Sequence, residues 1–276
     1  MKTIGSLLSA SGLPRVEANL LLGFALGLER AYIAAHPEAE VDQSNGVAVE
    51  RLFARRRNGE PVAYITETRE FFGLMLRVTP AVLIPRPETE LLVERSLAHL
   101  AGRAAPRVLE LGTGSGAVAI ALAHVRADAE IWASDISPAA LALAQENAAR
   151  HGVRLHLLQS DWFDSLAGER FELIVSNPPY VAWNDPHLQQ GDVRFEPRRA
   201  LMGGRDGLQC IRTIVQGARA HLIPGGWLLF EHGWDQGPDC ERLLRELGYA
   251  DVSDSSDFAG HRRVCEGGFD PSRASG

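Results

Sequence analysis

Three features of the chain predict an α/β protein in which helices cover both faces of a mostly parallel sheet, preceded by a small all-α region. Beyond residue 100, short apolar runs alternate with helical stretches of about 10 to 15 residues, the pattern of right-handed βαβ units. A glycine-rich run follows the first of these strands and opens a helix. Before residue 70 only the helical period is visible. A length of 276 residues accommodates one small and one larger domain, and 45% hydrophobic against 23% charged residues is the composition of a folded chain.

In the first region, Val16, Leu20, Phe24 and Leu28 recur from Pro14 onward at three- and four-residue spacing, with Leu21 and Ala25 beside them. That spacing predicts a helix with this face buried. A second helix is expected over 47–57, stopped by Asn58-Gly59 and Pro61. Arg55, Arg56 and Arg57 at its end read either as a local basic patch or, in better agreement with the helix dipole, as a solvated C-terminus. Near Phe71-Phe72-Gly73 the period changes. Leu74, Leu76 and Val78 alternate with Met75, Arg77 and Thr79, which predicts a strand or hairpin leading to Pro80. The expected division is therefore a helical domain over 1–73, a hairpin connector over 74–85 and a second domain over 86–276.

In that second domain, strands are expected at 107–111, 130–134, 155–158, 171–175 and 227–230. Helices are expected at 117–124, 138–150 and 210–221. The last ten residues, 267–276, read as a loose tail.

Charge and composition exclude several function classes. Net charge is −7, and residues 1–80 hold nine basic and nine acidic groups, so the remainder carries the whole deficit. Phosphate-dominated affinity fits neither part, and no stable nucleic-acid binding is expected. The longest mostly apolar stretch, residues 20–28, is far shorter than the roughly 20 residues that cross a bilayer. Without a membrane span or a secretory pattern at the N-terminus, a cytoplasmic protein is expected. Cys210, Cys240 and Cys265 lack CxxC spacing, and no His, Cys or carboxylate cluster has ligand spacing, so neither disulfides nor a metal are expected.

The run Glu110-Leu111-Gly112-Thr113-Gly114-Ser115-Gly116-Ala117 lies where a strand gives way to a helix. Glycine permits the tight turn and close ligand approach, while the helix N-terminus offers free N–H groups. Asp135, at the end of the second strand, is placed to accept both hydroxyls of a ribose. An adenosine-containing ligand is the inference. Gly112, Gly114 and Ala117 also satisfy the dinucleotide fingerprint, which keeps an NAD-linked dehydrogenase open. Glu110 before the first glycine and the G-x-G-x-G spacing favour S-adenosylmethionine, and Asp161-Trp162 after the third strand is a candidate adenine contact.

Asn177-Pro178-Pro179-Tyr180 follows the fourth strand, at the same sheet edge and across the topological switch point. The prolines fix φ and hold the preceding residues extended. A planar NH2 is a weak nucleophile because its lone pair is delocalised. Acceptance of its two N–H groups by the Asn177 side-chain oxygen and the Pro178 carbonyl would aim that lone pair at a sulfonium methyl. Tyr180 would pack on the flat face of the substrate group.

The combination of Gly112 to Gly116, Asp135 and Asn177 to Tyr180 resembles the class I methyltransferases that modify planar NH2 groups. Three segments narrow the resemblance to the peptide chain release factor glutamine methyltransferases. They are Leu83-Ile84-Pro85-Arg86-Pro87-Glu88-Thr89-Glu90, Phe195-Glu196-Pro197-Arg198-Arg199-Ala200-Leu201 with Gly203 to Leu208, and Phe230-Glu231-His232-Gly233; Asp185 to Leu188 match as well. The resemblance implies a Rossmann-like seven-stranded methyltransferase domain behind a helical domain that recognises the substrate protein. It implies methyl transfer from S-adenosylmethionine, leaving S-adenosylhomocysteine, to the amide nitrogen of the glutamine in the Gly-Gly-Gln motif of bacterial class 1 release factors. Adenine or guanine of nucleic acid is the alternative acceptor. Carried onto this sequence, Glu110, Gly112 to Gly116, Asp135, Asp161, Trp162 and Asn177 would line the cofactor, and Asn177, Pro178, Pro179 and Tyr180 would hold the glutamine. One departure is visible: Glu67 stands where the family usually has glycine, which bears on the turn into the hairpin.

Overall fold

The computed structural model describes residues 2–271. They form two units, one of residues up to Thr68 together with Gln189–Phe195, the other of Arg69–Leu188 together with residues from Glu196 onward. The inclusion of Gln189–Phe195 in the first unit differs from the division expected above, and a short 3-10 turn with no apolar period carries no sequence signal for it.

The helical unit runs β1 (Lys2–Thr3), α1 (Ile4–Ala10), α2 (Arg15–Leu26), α3 (Arg30–Ala35), β2 (Glu40–Val41), α4 (Gln43–Arg57) and α5 (Val62–Thr66). A reciprocal Thr3/Ser6 capping box starts α1, and the Asp42 side chain starts α4 by accepting the Asn45 N–H at 2.8 Å. The core holds Ile4, Leu7, Leu21, Leu22, Ile33, Val49 and Phe53. On α2 the expected face is not the buried one: Val16, Leu20 and Phe24 are each more than half exposed, and Ala18, Leu21 and Leu22 are buried. Apolar residues occupy most of the circumference of α2, and Ala18, Leu21 and Leu22 are the ones that share the buried core with Val49 and Phe53 of α4. The arginine cluster is the helix end, and each member is engaged. Arg55 pairs with Glu60, Arg56 with Glu17 and Asp192, and Arg57 donates to the Ser11 carbonyl.

The larger unit begins with a hairpin, β3 (Thr68–Phe71) and β4 (Leu74–Arg77), turned by Phe72 and Gly73 in left-handed conformations. The hairpin therefore occupies the residues before and including the start of the expected connector over 74–85. There follow α6 (Glu90–Leu100), β5 (Arg107–Leu111), α7 (Ala117–Val125), β6 (Glu130–Asp135), α8 (Pro138–Arg150), β7 (His156–Gln159) and β8 (Phe171–Ser176). The chain continues through α9 (Gln209–Ala218), β9 (Leu222–Glu231), α10 (Gly237–Glu246), β10 (Ala250–Ser256) and β11 (Arg262–Gly268).

The seven-stranded sheet has the order β10-β11-β9-β8-β5-β6-β7, parallel from β9 to β7, with β11 antiparallel to both neighbours. Alternate residues of the central strands feed two cores. Val108, Leu173 and Val175 join Leu92, Val118 and Ile120, while Leu109, Leu111 and Ile174 join Ile211, Ile214 and Phe230. Burial on both faces is why these strands read as continuous apolar runs. The first residues of the expected loose tail are part of the fold. Gly267 and Gly268 end β11, and the Phe269 N–H donates to the Gly226 carbonyl while its ring packs on the second core. Residues 272–276 of that segment lie outside the described residues.

Candidate active site

β5 and β8 are direct neighbours, so the glycine loop and the Asn-Pro-Pro-Tyr segment leave the same edge side by side. Gly112, Gly114 and Gly116 all have left-handed φ, 72°, 55° and 84°, a sequence of conformations only glycine adopts without strain. A Cβ at Gly116 would also meet the Ile120 side chain at 2.8 Å and Ala144 at 3.2 Å, so this glycine allows α7 and α8 to close up.

Two carboxylates hold the loop. The Asp135 Oδ2 accepts the Gly114 N–H at 2.9 Å, and its Oδ1 accepts the Ser137 N–H at 2.9 Å. Glu110, penultimate in β5, is buried; its Oε2 accepts the Thr113 hydroxyl at 2.6 Å and the Ala119 N–H at 3.0 Å. Burial pushes its carboxyl up to about 8, partly opposed by those two bonds. Buried Asn147 of α8 braces the far side: its amide donates to the Ser115 and Arg77 carbonyls, each at 2.9 Å, and its oxygen accepts the Arg77 N–H at 2.8 Å.

Over the loop lies a cavity of about 570 Å³ within the larger unit, lined by Glu110, Gly112, Thr113, Gly114, Ser115 and Asp135 on one side. Asp161, Trp162, Asn177 and Pro179 complete the sequence-derived set. Trp162 is held at a φ of 47°, strain of the kind that collects at ligand sites. Three expected residues do not line it. Gly116 faces the helices, Pro178 is buried, and Tyr180 packs on the second core. Pro85 and Thr89 do line it, so the 83–90 segment both shapes the cavity and, through Pro87, starts the 3-10 turn before α6.

Behind the tetrapeptide is a polar assembly whose members lie in the 83–90 and 230–233 segments singled out in the sequence, although no local pattern shows that they meet. Glu231, at the end of β9 and 1% exposed, accepts the Tyr180 hydroxyl at 3.0 Å and the Thr89 hydroxyl at 2.6 Å. The Asn177 amide nitrogen donates to Thr89 Oγ1 at 3.0 Å. Burial raises the Glu231 carboxyl above the ordinary range, and burial followed by the charge of Glu231 raises the Tyr180 phenol. Backbone contacts brace the segment too. Gln236 Nε2 donates to the Tyr180 carbonyl at 3.0 Å, and a Cβ on Gly203 would lie 2.5 Å from the Pro179 carbonyl oxygen. Arg86 pairs with buried Glu196 at 2.8 Å, joining two of the segments singled out in the sequence. The arrangement offers a fixed acceptor on the cavity wall and a glycine loop beside it, which suits a planar N–H group presented to an adenosine-bearing ligand.

Comparison with known proteins bears on the family and the fold. Residues 2–66 match the family model of the PrmC N-terminal domain, and residues 87–191 match the methyltransferase small domain. The release factor glutamine methyltransferase of Bordetella pertussis is 50% identical over 268 residues, covering 97% of this chain and 99% of the relative. That of Escherichia coli is 47% identical over 265 residues, covering 96% and 95%. Among solved structures, a methyltransferase from Pyrococcus furiosus aligns with a TM-score of 0.55 at 20% identity over 78% of this chain and 96% of its own. The T. thermophilus 16S rRNA N2 G1207 methyltransferase, in complex with AdoMet and guanosine, aligns with a TM-score of 0.54 at 23% identity over 73% and 49%. At those identities the two structures speak to the fold alone.

Proposed function

The chain belongs to the release factor glutamine methyltransferase family, and from that premise we propose that it methylates the Gly-Gly-Gln glutamine of class 1 peptide chain release factors at the side-chain amide nitrogen, in the cytoplasm. The observation that carries the reading is the Asn177 amide on the wall of a cavity floored by the Gly112–Gly114 loop. S-adenosylmethionine supplies an electrophilic methyl group and leaves as S-adenosylhomocysteine.

The residues present fit that ligand. The loop backbone from Gly112 to Ser115, the Asp135 carboxylate with lone pairs beyond its two backbone bonds, and Asp161 with Trp162 line one continuous cavity of adequate size. On the substrate side, the Asn177 Oδ1 accepts an N–H group of the glutamine amide, and buried Pro178 fixes the segment that carries it. Tyr180, its hydroxyl fixed on Glu231, acts on the substrate through the wall it supports. No strong base is needed before transfer, because the amide proton becomes acidic once its nitrogen bears the new methyl. Positioning is the main contribution, and in favourable cases it supplies about 7–11 kcal/mol.

Recognition of the release factor is assigned to the helical unit. Val16, Leu20 and Phe24 stand exposed on one side of α2, around a groove also lined by Asn19, Gly23 and Leu28. Contiguous exposed apolar side chains of this kind are a partner surface. Adenine or guanine of nucleic acid presents the same NH2 chemistry, but the −7 charge and the full-length likeness to glutamine methyltransferases favour the protein substrate.

The test is incubation with labelled S-adenosylmethionine and, in parallel, release factor, release factor with its Gly-Gly-Gln glutamine replaced, and nucleic acid. Label in the first alone is expected. Label in nucleic acid, or equal label in the glutamine-replaced protein, overturns the reading.

A further inference from the structure

We propose that Thr89 and Glu231 are positioning residues that set which end of the Asn177 side-chain amide faces the substrate. The inference rests on the functional reading above and adds the device by which the acceptor is oriented.

A carboxamide has one accepting and one donating end, similar in shape, so its orientation is fixed by its neighbours. Thr89 has a single hydroxyl hydrogen. Both Glu231 oxygens accept, Oε1 from the Tyr180 hydroxyl at 3.0 Å and Oε2 from the Thr89 hydroxyl at 2.6 Å, so that hydrogen points at Glu231. The Thr89 oxygen is left able only to accept, and the Asn177 side chain lies 3.0 Å from it. The nitrogen end of the amide must then face Thr89, because the reverse orientation would set two acceptors against each other. Oδ1 is thereby turned to the cavity as an acceptor for a substrate N–H. The other Glu231 oxygen holds the Tyr180 hydroxyl at 3.0 Å, so one buried carboxylate orders both ends of the tetrapeptide. Thr89 is 4% and Glu231 1% exposed, which keeps water from substituting for either.

Thr89→Val keeps the shape and removes the hydroxyl, while Thr89→Ser keeps the hydroxyl. With the valine variant kcat for methylation of release factor is expected to fall about 10- to 100-fold, the cost of leaving a buried polar partner unmatched. KM for release factor and S-adenosylmethionine affinity by calorimetry should stay near wild type, while the melting temperature should fall with the two lost buried bonds. The serine variant should restore most of kcat. A second readout does not depend on turnover: in ¹⁵N-labelled protein, the Asn177 side-chain NH2 signals, assigned by their loss in Asn177→Ala, should shift in Thr89→Val and stay in Thr89→Ser.

Wild-type kcat in Thr89→Val, a serine variant as impaired as the valine one, or unmoved Asn177 amide signals would overturn the positioning role. If wild-type protein binds S-adenosylmethionine and transfers nothing to release factor, the functional reading fails instead, and the amide signals still decide the orientation.

Discussion

In the larger unit Thr89, Glu110, Asn147 and Glu231 are polar and 4% exposed or less, whereas in the helical unit Val16, Leu20 and Phe24 are apolar and more than half exposed. Both sets run against the usual partition of polar outside and apolar inside. The buried polar groups are all hydrogen-bonded, and every one of them fixes the glycine loop or the tetrapeptide. The exposed apolar groups lie together on one side of a helix whose other side supplies the core. One inversion spends stability on internal geometry; the other leaves surface to be covered by a partner. Substitutions in the first set should therefore change folding and turnover, and those in the second should change only recognition.

The sharpest break between them is expected at Asn147. Asn147→Leu keeps the γ-branched outline but leaves the Arg77 N–H and two carbonyls unpaired in the interior. A loss of about 3 kcal/mol is expected, read as a lower midpoint in urea unfolding. A loss under about 1 kcal/mol would mean that the loop is not braced from α8.

Glu110 gives the next largest effect, and it depends on pH. Its carboxyl is raised to about 8 in the folded protein from 4.5, so between those values the folded state holds a proton that the unfolded state has released. Stability must then fall as pH rises from the unfolded value through the folded one and level off above it, by slightly less than about 3 kcal/mol from pH 6 to 9 in the ligand-free protein. Glu110→Gln keeps an acceptor for Thr113 and removes the titration. Melting curves across that range should slope downward for wild type and less steeply for the variant, and parallel slopes would refute the assignment.

The two regions also differ in how much of them was legible. Strand β5 and helix α8 were read to the residue, because the first ends at a glycine loop and the second has Ser137 and Pro138 at its start and Gly152 after its end. The period of α2 revealed the helix and not its buried side, since apolar residues on most of its circumference leave the choice to α4, which periodicity does not describe. No strand is expected over β10, Ala-Asp-Val-Ser-Asp-Ser-Ser; its pairing with β11 makes it a strand at the sheet edge. In the site, the glycine loop, Asp135 and the tetrapeptide were legible because each is a local pattern with a chemical reason. The Thr89–Glu231 bond was not, because its partners are 142 residues apart and nothing short of the fold brings them together.

A smaller effect, and the one that tests the exposed side of the comparison, is expected from Leu20→Ser combined with Phe24→Ser. Both side chains are more than half in water, so stability should change by no more than about 0.5 kcal/mol. KM for release factor should rise about tenfold, roughly 1.4 kcal/mol of lost contact, with kcat and S-adenosylmethionine affinity unaltered. Steady-state kinetics with full-length release factor checks this. A fall in kcat, or an unchanged KM, removes α2 from recognition.

The smallest effect concerns the one departure from the expected pattern. Glu67 ends α5 with φ 53° and ψ 25°, the left-handed conformation in which a side chain costs about 1–2 kcal/mol and glycine almost nothing. The backbone has thus kept the turn that a glycine would make and carries the strain instead. Glu67→Gly relieves that strain but gives the unfolded chain more freedom, at about 0.5–1 kcal/mol. The net gain should be under about 1 kcal/mol, seen as a slightly higher melting temperature with unchanged kcat and KM. A clear loss of stability on substitution would show that the Glu67 side chain contributes more than its backbone costs.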